Sequence, residues 1–191
     1  MSAAGPTQGA QCSPLVGSEQ SERGGRSISA AGKGRIAILG AGLIGRAWAM
    51  VFARAGHPVA LHDADPGALQ RALAALDQGL ADLREARLLA ESPVAVRLRI
   101  VAAPTLAAAL EGAVYVQENI AEILEAKRTL FAAVDRLAAP DAILASSTST
   151  IIASRWSEEL PGRARCIVAH PVNPPHLVPL VELSPAPWTA P

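Results

Sequence analysis

The stretch Arg35-Ile-Ala-Ile-Leu-Gly40-Ala-Gly42-Leu-Ile-Gly45 decides how the rest of this chain is read. Arg35 to Leu39 is a short apolar run rich in β-branched and aliphatic residues, the pattern of a strand buried on both faces. It ends in Gly40-x-Gly42-x-x-Gly45, after which Leu43 to Ala55 carry apolar residues at helical spacing. Strand, glycine turn and helix in that order give a phosphate-binding fingerprint its physical meaning. Gly40 permits the tight turn, Gly42 has no Cβ to hold a pyrophosphate away from the backbone, and Gly45 lets the helix pack against the strand. Leu43, Ile44 and Gly45 open the helix, where free N–H groups and a partial positive charge meet the phosphates.

A second feature completes the pattern. Val59-Ala-Leu-His-Asp63 reads as another strand after the break at Gly56-His57-Pro58, and Asp63 stands at its carboxyl end. An acid 23 residues after Gly40 is placed to accept hydrogen bonds from the adenosine ribose hydroxyls. No Arg or Lys follows in Ala64-Asp65-Pro66, so a 2′-phosphate would be repelled. The expected cofactor is NAD rather than NADP.

The whole chain sets the bounds. Its 191 residues suit one substantial domain with a tail; residues 1–34, dominated by Gly, Ser, Ala, Gln and Pro, are expected to be a disordered leader. Residues 35–191 form the expected domain. Charged residues are 18% with zero net charge, which leaves no electrostatic footprint for nucleic acid or an anionic membrane. Aromatics are only 3%, so the core must be built from Ala, Leu, Val and Ile. Two isolated cysteines, Cys12 and Cys166, suggest neither a disulfide framework nor a metal site. With no signal-peptide pattern and no apolar run of membrane length, the expected setting is cytoplasmic.

Beyond the second strand, Pro66 to about Ala90 reads as a long helix with Leu69, Leu73, Leu76, Leu80, Leu83 and Leu88 as its inner stripe. Arg97 to Val101 is expected to be a short strand, and Thr105 caps a short helix ending at Leu110. Ala113 to Val116 begins a strand leading into Gln117-Glu118-Asn119. Glu122 to Leu137 comes next as a helix, with Ile123, Leu124, Leu130, Phe131, Val134 and Leu137 facing inward. Ala142 to Ala145, Arg165 to Ala169 and Leu180 to Leu183 are further strands. Strands alternating with helices imply an α/β fold, a Rossmann-type doubly wound and mostly parallel sheet.

The polar residues with chemical potential collect past the carboxyl ends of these strands: Gly40, Asp63, Glu118, Ser149 and His170. That edge is where ligands bind in open α/β sheets. Glu182 comes twelve residues after His170 in an apolar strand, where a carboxylate is costly unless paired. The Pro-rich path between them could bring the second strand back beside the first. Glu182 would then fix one imidazole nitrogen and leave the other as a base. A core histidine and an unrelated edge-strand glutamate satisfy the same spacing. Among the other histidines, His57 sits in a turn, His62 faces away from Asp63, and His176 lies in the Pro-rich loop.

The segment His170-Pro-Val-Asn173-Pro174-Pro-x-x-x-Pro-Leu-Val-Glu182-Leu resembles the signature of the L-3-hydroxyacyl-CoA dehydrogenase family, in the style of its lambda-crystallin or L-gulonate 3-dehydrogenase branch. The resemblance runs from Arg35 to Pro191 and includes Gly40-Ala-Gly-Leu-Ile-Gly-Arg-Ala-Trp-Ala, Gln117-Glu-Asn and Ser146-Ser-Thr-Ser. It implies that His170 is the catalytic base, Glu182 its orienting partner, and Ser149 the serine that bonds the substrate hydroxyl. It further implies that Asn173 helps hold the reacting oxygen, and that Glu118 lies near the nicotinamide end of NAD. The implied activity is NAD-dependent oxidation of an L-3-hydroxy substrate, an acyl-CoA thioester of fatty acid metabolism or a free hydroxy acid. Similar enzymes continue into a helical second domain, absent from this chain, that would supply substrate contacts and a homodimer interface.

Two other readings compete. A methyltransferase also uses a Gly-rich turn and a ribose-binding acid, but the third glycine and the His170–Glu182 pair argue against it. A non-catalytic NAD-binding or structural protein is the other.

Overall fold

The computed structural model describes Met1 and residues 33–191; the expected leader lies almost wholly outside these residues. Gly34 is tied to the folded domain, since its carbonyl lies 2.9 Å from His57 Nδ1.

The opening run forms strand β1 (Arg35–Leu39), and its alternation builds both faces of the sheet. Ile36 and Ile38 join one hydrophobic core, Ala37 and Leu39 the other. Helix α1 (Leu43–Arg54) leaves the glycine turn, and β2 (Val59–His62) pairs parallel to β1. Helix α2 (Pro66–Glu85) starts at an Asp65 cap and buries Leu69, Leu76, Leu80 and Leu83 beside α1.

Helix α2 ends five residues before the expected Ala90. Arg87 adopts φ 60, the Leu88 N–H donates to the Leu83 carbonyl at 2.8 Å, and the Arg87 N–H donates to Arg84 at 3.1 Å. This is a Schellman ending with Arg in the position glycine usually takes, so no glycine announced it. Leu88 is consequently 49% exposed and outside the leucine stripe. The strand expected at Arg97 is also displaced. Ser92 caps and Pro93 opens a short helix α3 (Pro93–Arg97), and strand β3 is Ile100–Ala102.

Helix α4 (Leu106–Leu110) carries the Thr105 cap, and β4 (Ala113–Glu118) runs two residues further than expected. In α5 (Leu124–Leu137) Lys127, Phe131 and Val134 are buried and Leu124 and Leu130 pack against the same core, whereas Ile123 and Leu137 are more than half exposed. Strand β5 (Ile143–Ser146), helix α6 (Ala153–Ser157), strand β6 (Cys166–Pro171) and strand β7 (Val181–Pro185) complete the fold.

The sheet order is β3-β2-β1-β4-β5-β6-β7, parallel except for β7, which runs antiparallel to β6. Chain direction across the sheet reverses between β1 and β4, the place where open α/β sheets bind ligands outside the strands' carboxyl ends. Cys166 is fully buried in β6, and burial with the nearby Asp135 charge pushes its thiol up to about 12. Among the described residues, no helix is long and apolar enough to cross a membrane.

Candidate active site

The glycine turn follows β1 at the carboxyl ends of β1 and β4. Gly40 has φ +92, and a Cβ there would meet the Asn119 carbonyl at 2.7 Å. At Gly45 a Cβ would stand 1.9 Å from the Gly40 carbonyl oxygen, so only glycine lets α1 leave β1 this closely. Gly42 is different: nothing lies within 4 Å of its missing Cβ. Open space above Gly42 at an uncapped helix N-terminus is what a pyrophosphate requires. Leu43 is 74% exposed at this mouth.

Asp63 stands directly after β2, and its carboxylate already shapes the turn. Asp63 Oδ2 accepts from the Ala41 N–H at 2.8 Å, and Oδ1 accepts from the Asp65 N–H at 2.9 Å. Each oxygen keeps a lone pair for a ribose hydroxyl. The residues around this turn therefore fit a dinucleotide.

Further along the same sheet edge, β6 and β7 place His170 and Glu182 directly opposite each other. Glu182 Oε2 lies 3.0 Å from His170 Nδ1. The pairing needs no apolar burial to enforce it: Glu182 is 71% exposed, and β7 is exposed along its whole length. The expected cost of a carboxylate in a buried strand is thus absent, and cross-strand register brings the groups together. A cleft of about 130 Å³ collects Thr148, Ser149, Thr150, His170 and Glu182. Asn173 does not line it; this residue is exposed on the turn after β6.

Glu118 ends β4 at the carboxyl edge of the sheet, opposite Leu39, but its carboxylate turns into the fold. Its side chain is fully buried, with both carboxylate oxygens 2.9 Å from Lys127 Nζ, one accepting from Ser146 Oγ at 2.5 Å and the other from the Ile120 N–H at 2.6 Å. The side chains of β4 alternate, and Glu118 falls on the α5 side. The partly exposed carboxylate of this stretch is Glu122, whose Oε1 accepts from the N–H groups of Ser149 and Thr150 at 3.1 Å each, from Thr150 Oγ1 at 3.0 Å and from Thr148 Oγ1. Burial alone would raise the Glu122 pKa. Hydrogen bonds from Thr148 and Thr150, with the Lys127 charge, outweigh that and hold it at about 2.

Residues 35–191 match the family model described as 3-hydroxyacyl-CoA dehydrogenase, NAD binding domain. The chain belongs to the 3-hydroxyacyl-CoA dehydrogenase family. NAD is accordingly the cofactor of this domain. A lambda-crystallin homolog of Bos taurus is 44% identical over 160 residues, covering 83% of this chain and 50% of the relative. An L-carnitine dehydrogenase/betainyl-CoA thioesterase of Rhizobium sp is 37% identical over 150 residues, 78% of this chain and 29% of that protein. Among solved structures, 3-hydroxybutyryl-CoA dehydrogenase from Escherichia coli matches with a TM-score of 0.78 and 30% identity, over 82% of this chain and 33% of that one. The chain spans about half the length of the lambda-crystallin relatives it matches.

Sequence reasoning missed Glu122 and Lys127 in this dehydrogenase domain. Lys127 had a visible signal: it stands four residues before Phe131 and seven before Val134, on the buried stripe of α5. Glu122 had none, because only the fold brings it to the 148–150 loop. His62 turns from Asp63 and pairs through Nδ1 with the Ala103 carbonyl at 3.0 Å. His176 lines a second cleft of about 510 Å³ with Trp48, Arg54, Leu88 and Glu91; burial, and then the Arg54 charge, lower its pKa.

Proposed function

We propose that this domain serves NAD-dependent oxidation of the hydroxyl of an L-3-hydroxy substrate, with His170 as the base. The observation that carries the reading is the 3.0 Å contact between His170 Nδ1 and Glu182, in one cleft with Ser149 at the carboxyl edge of the sheet. Glu182 accepts the Nδ1–H, which fixes the tautomer and leaves Nε2 free to take the hydroxyl proton. Ser149 holds the same oxygen by a hydrogen bond. Asn173 is assigned to that oxygen on the family resemblance alone. When bound, NAD supplies the acceptor for the hydride that leaves the carbinol carbon. Loss of the proton to His170 and of the hydride to the cofactor balances the oxidation of alcohol to ketone. In the reverse direction the imidazolium is the acid.

The substrate is either an acyl-CoA thioester or a free hydroxy acid; the names of the relatives span both kinds. A cytoplasmic setting and a homodimer built through a second domain belong to the same proposal.

The test compares the unmodified protein, His170→Ala, Glu182→Gln and the double variant, each with a helical second domain supplied by extension or by a partner chain, and with L-3-hydroxybutyryl-CoA and L-carnitine as substrates. His170→Ala is expected to lose about 10²–10⁴-fold in rate. Glu182→Gln should slow oxidation while NADH affinity barely changes. Since both residues serve one proton transfer, the double variant should be little slower than His170→Ala. Full activity in His170→Ala sinks the mechanism. NADH binding with no turnover of any 3-hydroxy substrate would favour the non-catalytic reading.

A further inference from the structure

We propose that Gln117 is a positioning residue for His170, acting through a buried hydrogen-bond network on the α1 side of the sheet. Strand β5 pairs with β6 only as far as Ser146 opposite Val168, and the chain then turns away, its Ser147 N–H donating to the Glu118 carbonyl at 2.9 Å. The carbonyl of Ala169, one residue before His170, is left without a β5 partner. Gln117 Nε2 fills that gap, donating to Ala169 O at 3.1 Å. A side-chain amide thus extends the ladder by one rung, at the residue that sets the direction of the imidazole.

The amide itself is fixed at every polar atom. Gln117 is fully buried. Its Oε1 accepts from Tyr115 OH at 2.6 Å, and its Nε2 also donates to Ser147 Oγ at 2.7 Å. Burial pushes the Tyr115 pKa above its ordinary value, so that phenol remains a donor. Ser147 Oγ in turn accepts from Trp48 Nε1 at 3.0 Å and donates to Asn119 Oδ1 at 2.7 Å. Trp48 lies in α1, three residues after Gly45 of the glycine fingerprint, and stacks on Phe52 at 5.3 Å. One satisfied network therefore ties the helix that holds the cofactor to the strand that carries the base. A network of this kind fixes geometry because each member's alternative is a buried, unpaired polar group.

The proposal rests on His170 as the base, yet its test does not. Gln117→Met keeps the volume and removes both N–H donors. In the 191-residue protein, with the imidazole neutral, ¹⁵N NMR of the ring reads the share of the Nδ1–H tautomer that Glu182 holds. That share should fall in Gln117→Met, and in Ser147→Ala to a lesser degree. kcat should fall about tenfold, the weight of one buried hydrogen bond, while the NADH dissociation constant stays within about twofold. Val96→Ala, a cavity in the α3 core, controls for general loosening and should leave the tautomer share unchanged. If Gln117→Met does not fold, Ser147→Ala and Tyr115→Phe give the same reading. An unchanged tautomer share in the folded variants, or an equal change in Val96→Ala, overturns the assignment. A shifted tautomer beside full activity in His170→Ala would instead retain the positioning role and refute the base.

Discussion

Asp63 shows how one residue can carry structure and selectivity at once. Its carboxylate holds the Ala41 N–H, and it faces the place where the ribose is read. The domain is expected to bind NADH more tightly than NADPH, and Asp63→Ala to erode that preference while weakening NADH about 10- to 150-fold, the range for losing hydrogen bonds to a charged group. Fluorescence titration with both nucleotides checks this; equal binding by the unmodified chain would contradict it. Lys127 makes the opposite point. Its charge is spent inside the fold, 1% exposed against a fully buried Glu118. Lys127→Met strands that carboxylate, so it should destabilise the fold by about 3–5 kcal/mol, measured by urea unfolding.

Among the elements, the 148–150 loop is held from outside by Glu122, which makes its order depend on acid. The folded pKa of Glu122, about 2, lies below its ordinary 4.5, so the charged form is the one the native state favours. The stabilisation is complete above pH 4.5 and is lost as pH falls toward 2. Solvent screening at this partly exposed carboxylate keeps the effect modest. Glu122→Gln should flatten the acid limb of the stability curve in that window and leave the neutral region nearly parallel. Unfolding midpoints measured across acid pH decide it. The end of α2 offers a cleaner case. Arg87 sits at φ 60 with its cap bonds made by the backbone, so glycine should fit with less strain. Arg87→Gly is expected to stabilise by about 0.5–1 kcal/mol, a rise of roughly 1–4 °C in melting temperature.

For the molecule as a whole, order should fall from the centre of the sheet to its β7 edge. Strands β1, β4 and β5 are flanked by neighbours and covered by two hydrophobic cores, whereas β7 pairs on one side only and is exposed throughout. Hydrogen exchange should find the slowest amides in β1 and β4, with β7 opening first. Comparable protection in β7 would show that its exposed face, with Val181 and Leu183, is covered in solution. His170 lies on the last strand before that edge, so the rigidity of the base depends on β5, β7 and Gln117 rather than on the sheet's centre.

The sequence by itself determined the parts whose physics is local. A buried strand, a glycine turn and a helix are written in contiguous residues, as are the Thr105 cap and the fingerprint acid Asp63. These needed only hydrophobic period and backbone sterics. The motif His170-Pro-Val-Asn173 through Glu182 marked the family, and register in the fold then placed the two residues opposite each other. Tertiary structure alone decided what Glu118 and Glu122 do, because burial and partners across the sheet, not neighbours in sequence, set the role of a carboxylate. The same holds for Gln117, which stands beside Glu118 yet faces the other layer: strand alternation separates them, and only packing says which layer holds a lysine and which a ladder of amides and hydroxyls.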